Sequence, residues 1–147
     1  MPDQETLDRA REDAREGKSP STQAGEFVRE EVHHIREGKH GAASAKQAIA
    51  IGLSKARRAG VKLPAPKASA SASTRKKAEQ DTRASKEKNH KTSARRSRAT
   101  TAALRKEPSK AASRKSLSNQ AKKSAAKRGK QNLSRAARKA AQTRKAA

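Results

Sequence analysis

Apolar side chains recur at helical spacing in three segments near the start of the chain, and large apolar residues are rare after residue 64. The spacing predicts helices over residues 4–16, 22–37 and 44–59. A glycine follows each segment directly, and glycine is suited to the left-handed residue that ends many helices. The pattern therefore predicts a mainly α protein whose regular helices occupy the first half of the chain.

The second and third helices are separated by a short turn, residues 38–41, which favours an αα-hairpin. Ser21 or Thr22, after Pro20, is the predicted N-cap of the second helix. The predicted core is small and consists of Phe27, Val28, Val32, Ile35, Ile49, Leu53 and Val61. So small a core is marginal for a chain that folds alone. A homodimer, or docking on a protein partner through this helical module, is therefore expected.

The third helix carries the clearest start signal. Ser44 and Gln47 have the spacing of a capping box, in which both side chains accept hydrogen bonds from backbone N–H groups. Gly52 lies in the interior of the same helix, where glycine costs about 1 kcal/mol relative to alanine. It indicates either a close helix crossing or a weak point in the helix.

Charge divides the chain into two parts. Residues 1–66 contain 12 Lys and Arg against 10 Asp and Glu, whereas residues 67–147 contain 26 against 4. Low hydrophobicity combined with high net charge is typical of disordered chains. The sequence therefore predicts a helical module of two or three helices over residues 1–63. A Pro/Ala/Ser-rich linker over 64–74 and a long disordered Ala/Lys/Arg-rich tail over 75–147 follow it.

The tail contains a weak repeat at an offset of 16 residues. LSNQAKKSA begins at Leu117 and LSRAARKAA begins at Leu133. A biased composition explains such a match as readily as a true repeat does. If a polyanion neutralises the tail, residues 117–127 and 133–145 are expected to become helical first.

Several classes of function are disfavoured. The chain has no cysteine, so disulfides and thiolate metal sites are excluded. No apolar run approaches the roughly 20 residues of a membrane helix, and the acidic N-terminus resembles no targeting signal. Gly17-Lys18-Ser19 ends like a P-loop but lacks the preceding glycine and strand. With no recognisable set of nucleophile, base and orienting group, the expectation is a cytoplasmic, non-catalytic protein without a cofactor.

Four residues near the first hairpin turn invite a metal site: His33, His34, Glu37 and His40. His33 and Glu37 have helical spacing, whereas His40 lies beyond the glycine that ends the helix. Surface histidines beside a turn are the favoured interpretation, and no metal is expected.

The charge of the tail is the strongest chemical signal. A polycation binds polyphosphate by releasing condensed counterions and needs little sequence readout. The tail lacks aromatic side chains for stacking on bases, which favours duplex DNA and leaves structured RNA open. The expected contacts are basic residues of the third helix and of the tail: Lys46, Lys55, Arg57, Arg58, Arg75, Lys76, Lys77, Arg95, Arg96, Arg98, Lys122, Lys123, Lys127, Arg128, Arg135, Arg138 and Lys139.

The segment GKHGAASAKQAIAIGLSKARRAG (38–60) resembles a family of small basic bacterial proteins of uncharacterised function, and the likeness covers roughly residues 4–64. The resemblance implies a bacterial, cytoplasmic protein and supplies no activity or functional residues. The tail is similar in composition to the linker-histone-like tails of bacterial DNA-associated proteins, although it lacks their regular Lys-Pro-Ala-Ala type of repeat.

Two hypotheses of function follow. The favoured one is sequence-independent DNA binding of the nucleoid-associated or linker-histone-like type, with the tail bridging phosphates and the helical module dimerising or docking. The alternative is a protein-interaction adaptor, in which helices 22–37 and 44–59 bind a protein partner and the tail tethers RNA or the ribosome.

Overall fold

A computed structural model describes residues 2–87 and 93–146. This part of the chain contains helices and no strand, so the prediction of a mainly α protein is confirmed. The helices are α1 (Gln4–Arg15), α2 (Pro20–Arg36), α3 (Ala45–Arg58), α4 (Ala72–Ala84), α5 (Ala94–Arg105), a short 3-10 helix (Ser109–Ala112) and α6 (Arg114–Ala146). Their number exceeds the two or three that the sequence predicts.

Local capping explains where the first three helices begin and end. Ser19, rather than Ser21 or Thr22, is the N-cap of α2, because its Oγ accepts a hydrogen bond from the N–H of Thr22 at 3.4 Å. The glycines that follow α1, α2 and α3 have φ values of 71°, 75° and 95°. The predicted glycine stops are therefore confirmed.

The start of α3 confirms the predicted capping box. Ser44 Oγ accepts a hydrogen bond from the N–H of Gln47 at 3.2 Å. In return, Gln47 Oε1 accepts a hydrogen bond from the N–H of Ala43 at 2.7 Å, one residue before the N-cap itself. Two backbone donors at the helix start are thus satisfied, which fixes how the preceding turn enters α3.

Helices α2 and α3 pack against each other as an antiparallel hairpin. Ile35, near the end of α2, shares a core cluster with Ala48, near the start of α3. Phe27, near the start of α2, shares another cluster with Ala56, near the end of α3. The buried face of α3 is made largely of small residues. Alanine and glycine at the contact therefore let the two backbones come close.

The core is larger than the sequence predicts because alanines of the first three helices and segments after residue 64 contribute to it. Of the predicted core, Phe27, Val32 and Ile35 are buried, whereas the rest of that set is half-buried. The additional buried residues are mostly alanines: Ala10, Ala24, Ala42, Ala48, Ala56, Ala111 and Ala112. Leu117, at the start of α6, also packs against this core. Much of the apolar surface that predicted a dimer is therefore covered within the chain.

Two segments return to the α2–α3 hairpin after the Pro/Ala/Ser-rich stretch. Helix α4 packs on α3 and buries Ala78. The segment that runs from the end of α5 to the short 3-10 helix contacts the hairpin turn through its backbone. The N–H of Gly41 donates to the carbonyl of Leu104 at 2.8 Å. Arg36 Nε adds a hydrogen bond to the carbonyl of Ala112 at 3.0 Å. The packed region thus continues beyond residues 64–74.

The structure does not show the long disordered tail that the sequence predicts from residue 75. Ala, Lys and Arg are all good helix formers. Serines also cap these helices: Ser71, Ser93 and Ser113 each accept a hydrogen bond from the N–H three residues later. Local propensity and capping therefore outweigh the repulsion between like charges. The segments 117–127 and 133–145 both lie within α6.

Gly129 interrupts α6 between those two segments, because its φ of 75° and ψ of 158° are not helical. The part of α6 after this break is separate from the core, and the described side chains from residue 126 to 145 are all exposed. Among the described helices, none has the length and apolar character needed to cross a membrane.

Candidate functional site

The basic side chains of the last two α-helices are all exposed, and we call these two helices the basic arm (α5 and α6). Helix α5 buries none of its residues. Helix α6 contains twelve Lys and Arg and no Asp or Glu. The predicted contacts that are exposed on this arm are Arg95, Arg96, Arg98, Lys122, Lys123, Lys127, Arg128, Arg135, Arg138 and Lys139.

The predicted contacts outside the arm have varied surroundings. Lys46 on α3 and Arg75 and Lys76 on α4 are exposed, whereas Arg57 is half-buried. The 15 ion pairs found among the described residues all lie before residue 84, and none involves the basic arm. The arm therefore presents cations without neighbouring carboxylates, which is the arrangement that a polyanion would neutralise.

Two of the predicted contacts share a carboxylate. Asp81 of α4 is 2 % exposed. Its Oδ1 lies 2.8 Å from Arg58 Nε and 3.0 Å from Lys77 Nζ, and its Oδ2 accepts from Ser54 Oγ at 2.5 Å. Burial acts to raise the pKa of Asp81, but the hydrogen bonds from Ser54, Lys77 and Arg58 outweigh it and lower the pKa. Asp81 thus attaches α4 to Ser54 and Arg58 of α3, whereas Lys77 pairs with it within α4.

Lys55 does not face solvent as a nucleic-acid contact would. Its Nζ lies 2.8 Å from Glu30 Oε1 and 2.8 Å from Glu31 Oε2, two adjacent carboxylates of α2. Lys55 is half-buried and Glu31 is completely buried. Two buried carboxylates already neutralise its ammonium group, which disfavours phosphate binding by Lys55, and that contact stays a prediction.

Burial and pairing act in opposite directions on this ionic group. Burial acts to raise the pKa of Glu30, but hydrogen bonds from Lys55, the Asp3 backbone and Thr6 outweigh it and lower the pKa. Burial likewise acts to lower the pKa of Lys55, but the close contacts with Glu30 and Glu31 outweigh it and raise the pKa. Both groups therefore remain charged at neutral pH.

The four residues that invited a metal site separate into two pairs. His33 and Glu37 are exposed. His34 and His40 are half-buried and contact carboxylates: His34 Nε2 is 3.1 Å from Asp3 Oδ2, and His40 Nε2 is 3.2 Å from Glu31 Oε1. The interpretation of His34 and His40 as simple surface histidines is therefore wrong.

Sequence reasoning missed the acidic residues that organise these groups, namely Asp3, Glu30, Glu31 and Asp81. A signal existed for Asp81, because it is one of only four acidic residues after residue 66. A signal also existed for Glu31, because it lies one helical turn from Phe27 and Ile35, both of which belong to the apolar stripe of α2.

Comparison with known proteins gives one match. Residues 15–67 match the model of a family of unknown function (DUF6496). The matched region contains α2, α3 and the turn between them. It overlaps the segment that resembles an uncharacterised family, so the resemblance is supported for this part of the chain. No curated protein and no solved structure matches the chain.

Proposed function

We propose that this protein binds duplex DNA without catalysis and largely without sequence preference, through the basic arm. The observation that carries the proposal is that α6 combines twelve Lys and Arg with no acidic residue, and that these side chains are exposed. Nucleoid-associated or linker-histone-like proteins of bacteria are the class that such a surface fits, and the bacterial nucleoid is the proposed location.

The mechanism is electrostatic. Each phosphate contact releases condensed counterions, so that the logarithm of the binding constant falls with the logarithm of salt concentration by about 0.9 per contact. If about ten cations of the arm bind phosphates together, the salt slope is about −9. No described aromatic side chain lies on the arm to stack on bases, which supports backbone contacts over readout of single-stranded bases.

The packed module would position the arm on the DNA. Lys46, Arg75 and Lys76 are exposed cations on α3 and α4, and they extend the basic surface onto the module. Residues 1–66 contribute little net charge, because they contain 12 Lys and Arg against 10 Asp and Glu. In this proposal the module sets the geometry of the arm, and the arm supplies most of the affinity.

A salt titration tests the proposal. The full chain is titrated onto two duplex DNAs of unrelated sequence, and onto duplex RNA, between about 50 and 200 mM salt. We expect equal affinity for the two DNAs, a steep negative salt slope and weaker binding to RNA. A shallow slope, a preference for one DNA sequence or tighter binding to RNA would each contradict the proposal.

The adaptor hypothesis receives less support. It requires the α2–α3 hairpin to present an apolar face to a protein partner. Helices α1, α4 and the short 3-10 helix instead pack on this hairpin from the same chain. In the described part of the chain, the one large apolar side chain that is exposed is Leu133, which lies in α6. DNA binding is therefore the function that the geometry supports best.

A further inference from the structure

Glu31, His34 and His40 come together where the turn before α3 folds back onto α2. One possible ligand atom from each residue lies within 4.8 Å of those from the other two. Glu31 is 0 % exposed, and the side chains of His34 and His40 are 13 % and 16 % exposed. The three side chains are therefore mostly shielded from water.

The hydrogen bond of His40 determines which of its nitrogens carries a proton. Its Nδ1 lies 3.1 Å from the carbonyl oxygen of Gly41, which can only accept, so Nδ1 donates. In the neutral ring, Nε2 is then an acceptor. Nε2 nevertheless lies 3.2 Å from Glu31 Oε1, which is also an acceptor. Two acceptors at this separation need a cation between them or a second proton on the ring.

His34 has the same arrangement. Its Nε2 lies 3.1 Å from Asp3 Oδ2, and a carboxylate accepts, so Nε2 donates. Its Nδ1 is then an acceptor, and it lies 3.9 Å from Glu30 Oε1. Each histidine thus donates one ring N–H to an oxygen outside the group and directs its other nitrogen to the carboxylates. Metal-binding histidines are oriented by this kind of second hydrogen bond.

The carboxylate of Glu31 provides an independent observation. Both of its oxygens are buried, and neither has a hydrogen-bond partner in the described part of the chain. Lys55 Nζ lies 2.8 Å from Oε2 and serves that oxygen as a charge partner, although its alignment is not that of a hydrogen bond. Oε1 faces the acceptor nitrogen of His40, so it is the oxygen that lacks a donor.

The charges around Glu31 also favour a bound cation. Glu30 and Glu31 supply two buried negative charges, and Lys55 supplies one positive charge next to them. With both histidines neutral, one buried negative charge remains without a cation in this ionic group. Buried charge of this kind is costly unless it is compensated.

We propose that Glu31, His34 and His40 bind a divalent transition-metal ion of the zinc class. The ligands are a Glu31 carboxylate oxygen, His34 Nδ1 and His40 Nε2, and Asp3 and the Gly41 carbonyl orient the two rings. A mixed set of imidazole and carboxylate suits Zn²⁺ or Co²⁺ better than Mg²⁺ or Ca²⁺, which prefer all-oxygen sites. The ion joins α2 to the turn that leads into α3, and this site is separate from the proposed DNA surface.

The proposal is tested by titrating the full chain with Zn²⁺ alone and measuring binding by calorimetry at neutral pH. We expect one ion per chain, a rise in thermal midpoint with Zn²⁺, and no such effect with Mg²⁺. His34→Ala and His40→Ala should each abolish this binding. His33→Ala is the matched control, because His33 is an exposed neighbour on the same helix, and it should bind Zn²⁺ as the unchanged chain does.

A further variant keeps the test decisive if the alanine variants fail to fold. Asp3→Asn changes an exposed carboxylate that orients His34, and loss of such a partner lowers metal affinity by about 10–100-fold. Absence of Zn²⁺ binding to the unchanged chain would overturn the proposal. Unaltered binding in the folded His34, His40 or Asp3 variants, or lost binding in His33→Ala, would also overturn it.

Discussion

The backbones of α2 and α3 meet where Gly52 faces Val28. A Cβ atom built on Gly52 would lie 2.7 Å from Val28 Cα and 2.9 Å from both its N and its Cγ2. Real Cβ atoms do not approach a backbone so closely, so the two helices can cross at this separation only with glycine at residue 52. Of the two interpretations that the sequence leaves open, the close helix crossing is confirmed.

Gly52→Ala should therefore destabilise the protein, even though alanine is the better helix former. We expect the free energy of unfolding to fall by about 1–3 kcal/mol, because the added methyl group overpacks the crossing. Urea unfolding followed by far-UV circular dichroism measures this change.

Gly25→Ala is the matched control for that experiment. Gly25 lies within α2 with nothing within 4 Å of the added Cβ, so we expect a gain of up to about 1 kcal/mol from helix propensity alone. A gain in stability from Gly52→Ala as well would contradict the close crossing.

Gly41→Ala should detach the segment that leads into α6 from the hairpin turn. The added Cβ would overlap the carbonyl oxygen and carbon of Glu107. We expect faster amide hydrogen exchange at Gly41 and Ala42, which donate to Leu104 and Pro108. Ala43→Ser, an exposed change in the same turn, should leave this exchange slow; equal rates in the two variants would contradict the prediction.

Lys55 and Lys46 should behave differently when each is changed to glutamine. Lys55→Gln leaves Glu30 and Glu31 without their cation, and removal of one partner from a buried ion pair costs about 3–5 kcal/mol. Lys46 is exposed, so Lys46→Gln should change the free energy of unfolding by less than about 0.5 kcal/mol. Denaturant unfolding of both variants checks this, and similar stabilities would show that the Lys55 contacts are dispensable.

Asp81 should make the protein sensitive to acid. The pKa of Asp81 is lower in the folded protein than its ordinary value of 3.8. Its contribution to stability is therefore complete above pH 3.8 and is lost as the pH falls through the lowered folded-state pKa. Asp81→Asn should reduce stability by about 1–3 kcal/mol at pH 7, and its stability should depend less on pH in this acid range. Unfolding curves at pH 7, 4 and 3 test this; parallel pH profiles for the two proteins would exclude Asp81 as the cause.

Removal of three charges from the end of the basic arm should change DNA binding in a defined way. If Arg135, Arg138 and Lys139 each contact a phosphate, changing all three to glutamine reduces the magnitude of the salt slope by about 2.7. The matched control changes Arg11, Arg15 and Arg29, which lie on α1 and α2, and should leave the slope unchanged. Binding measured by fluorescence anisotropy on one duplex gives both slopes, and equal losses in the two variants would mean that net charge alone governs binding.

The sequence predicts the hairpin because its signals are local. Capping by Ser44 and Gln47, and the glycine that ends each of the first three helices, depend on residues a few positions apart, and all of these are found in the structure. The large side chains of the core, such as Phe27 and Ile35, follow from helical periodicity in the same way.

The sequence does not predict contacts between distant segments. Asp81 contacts Ser54 and Arg58, although the sequence predicts a linker between these residues. Ala111 and Ala112 complete the core, although alanines in an alanine-rich chain carry no distinguishing signal. The position of Lys55 likewise depends on which face of α3 meets α2, and that is decided by the crossing at Gly52.

Gly129 divides α6 of the basic arm into two helical parts. As an unbroken helix, the 33 residues of α6 would form a straight rod of about 50 Å, and a straight rod touches a curved polymer at one tangent point. Divided at residue 129, α6 becomes two rods of about 22 and 25 Å, each shorter than the roughly 34 Å of one DNA turn. In the proposed complex each rod would follow its own stretch of phosphates, so that α6 would fit straight and bent duplexes alike.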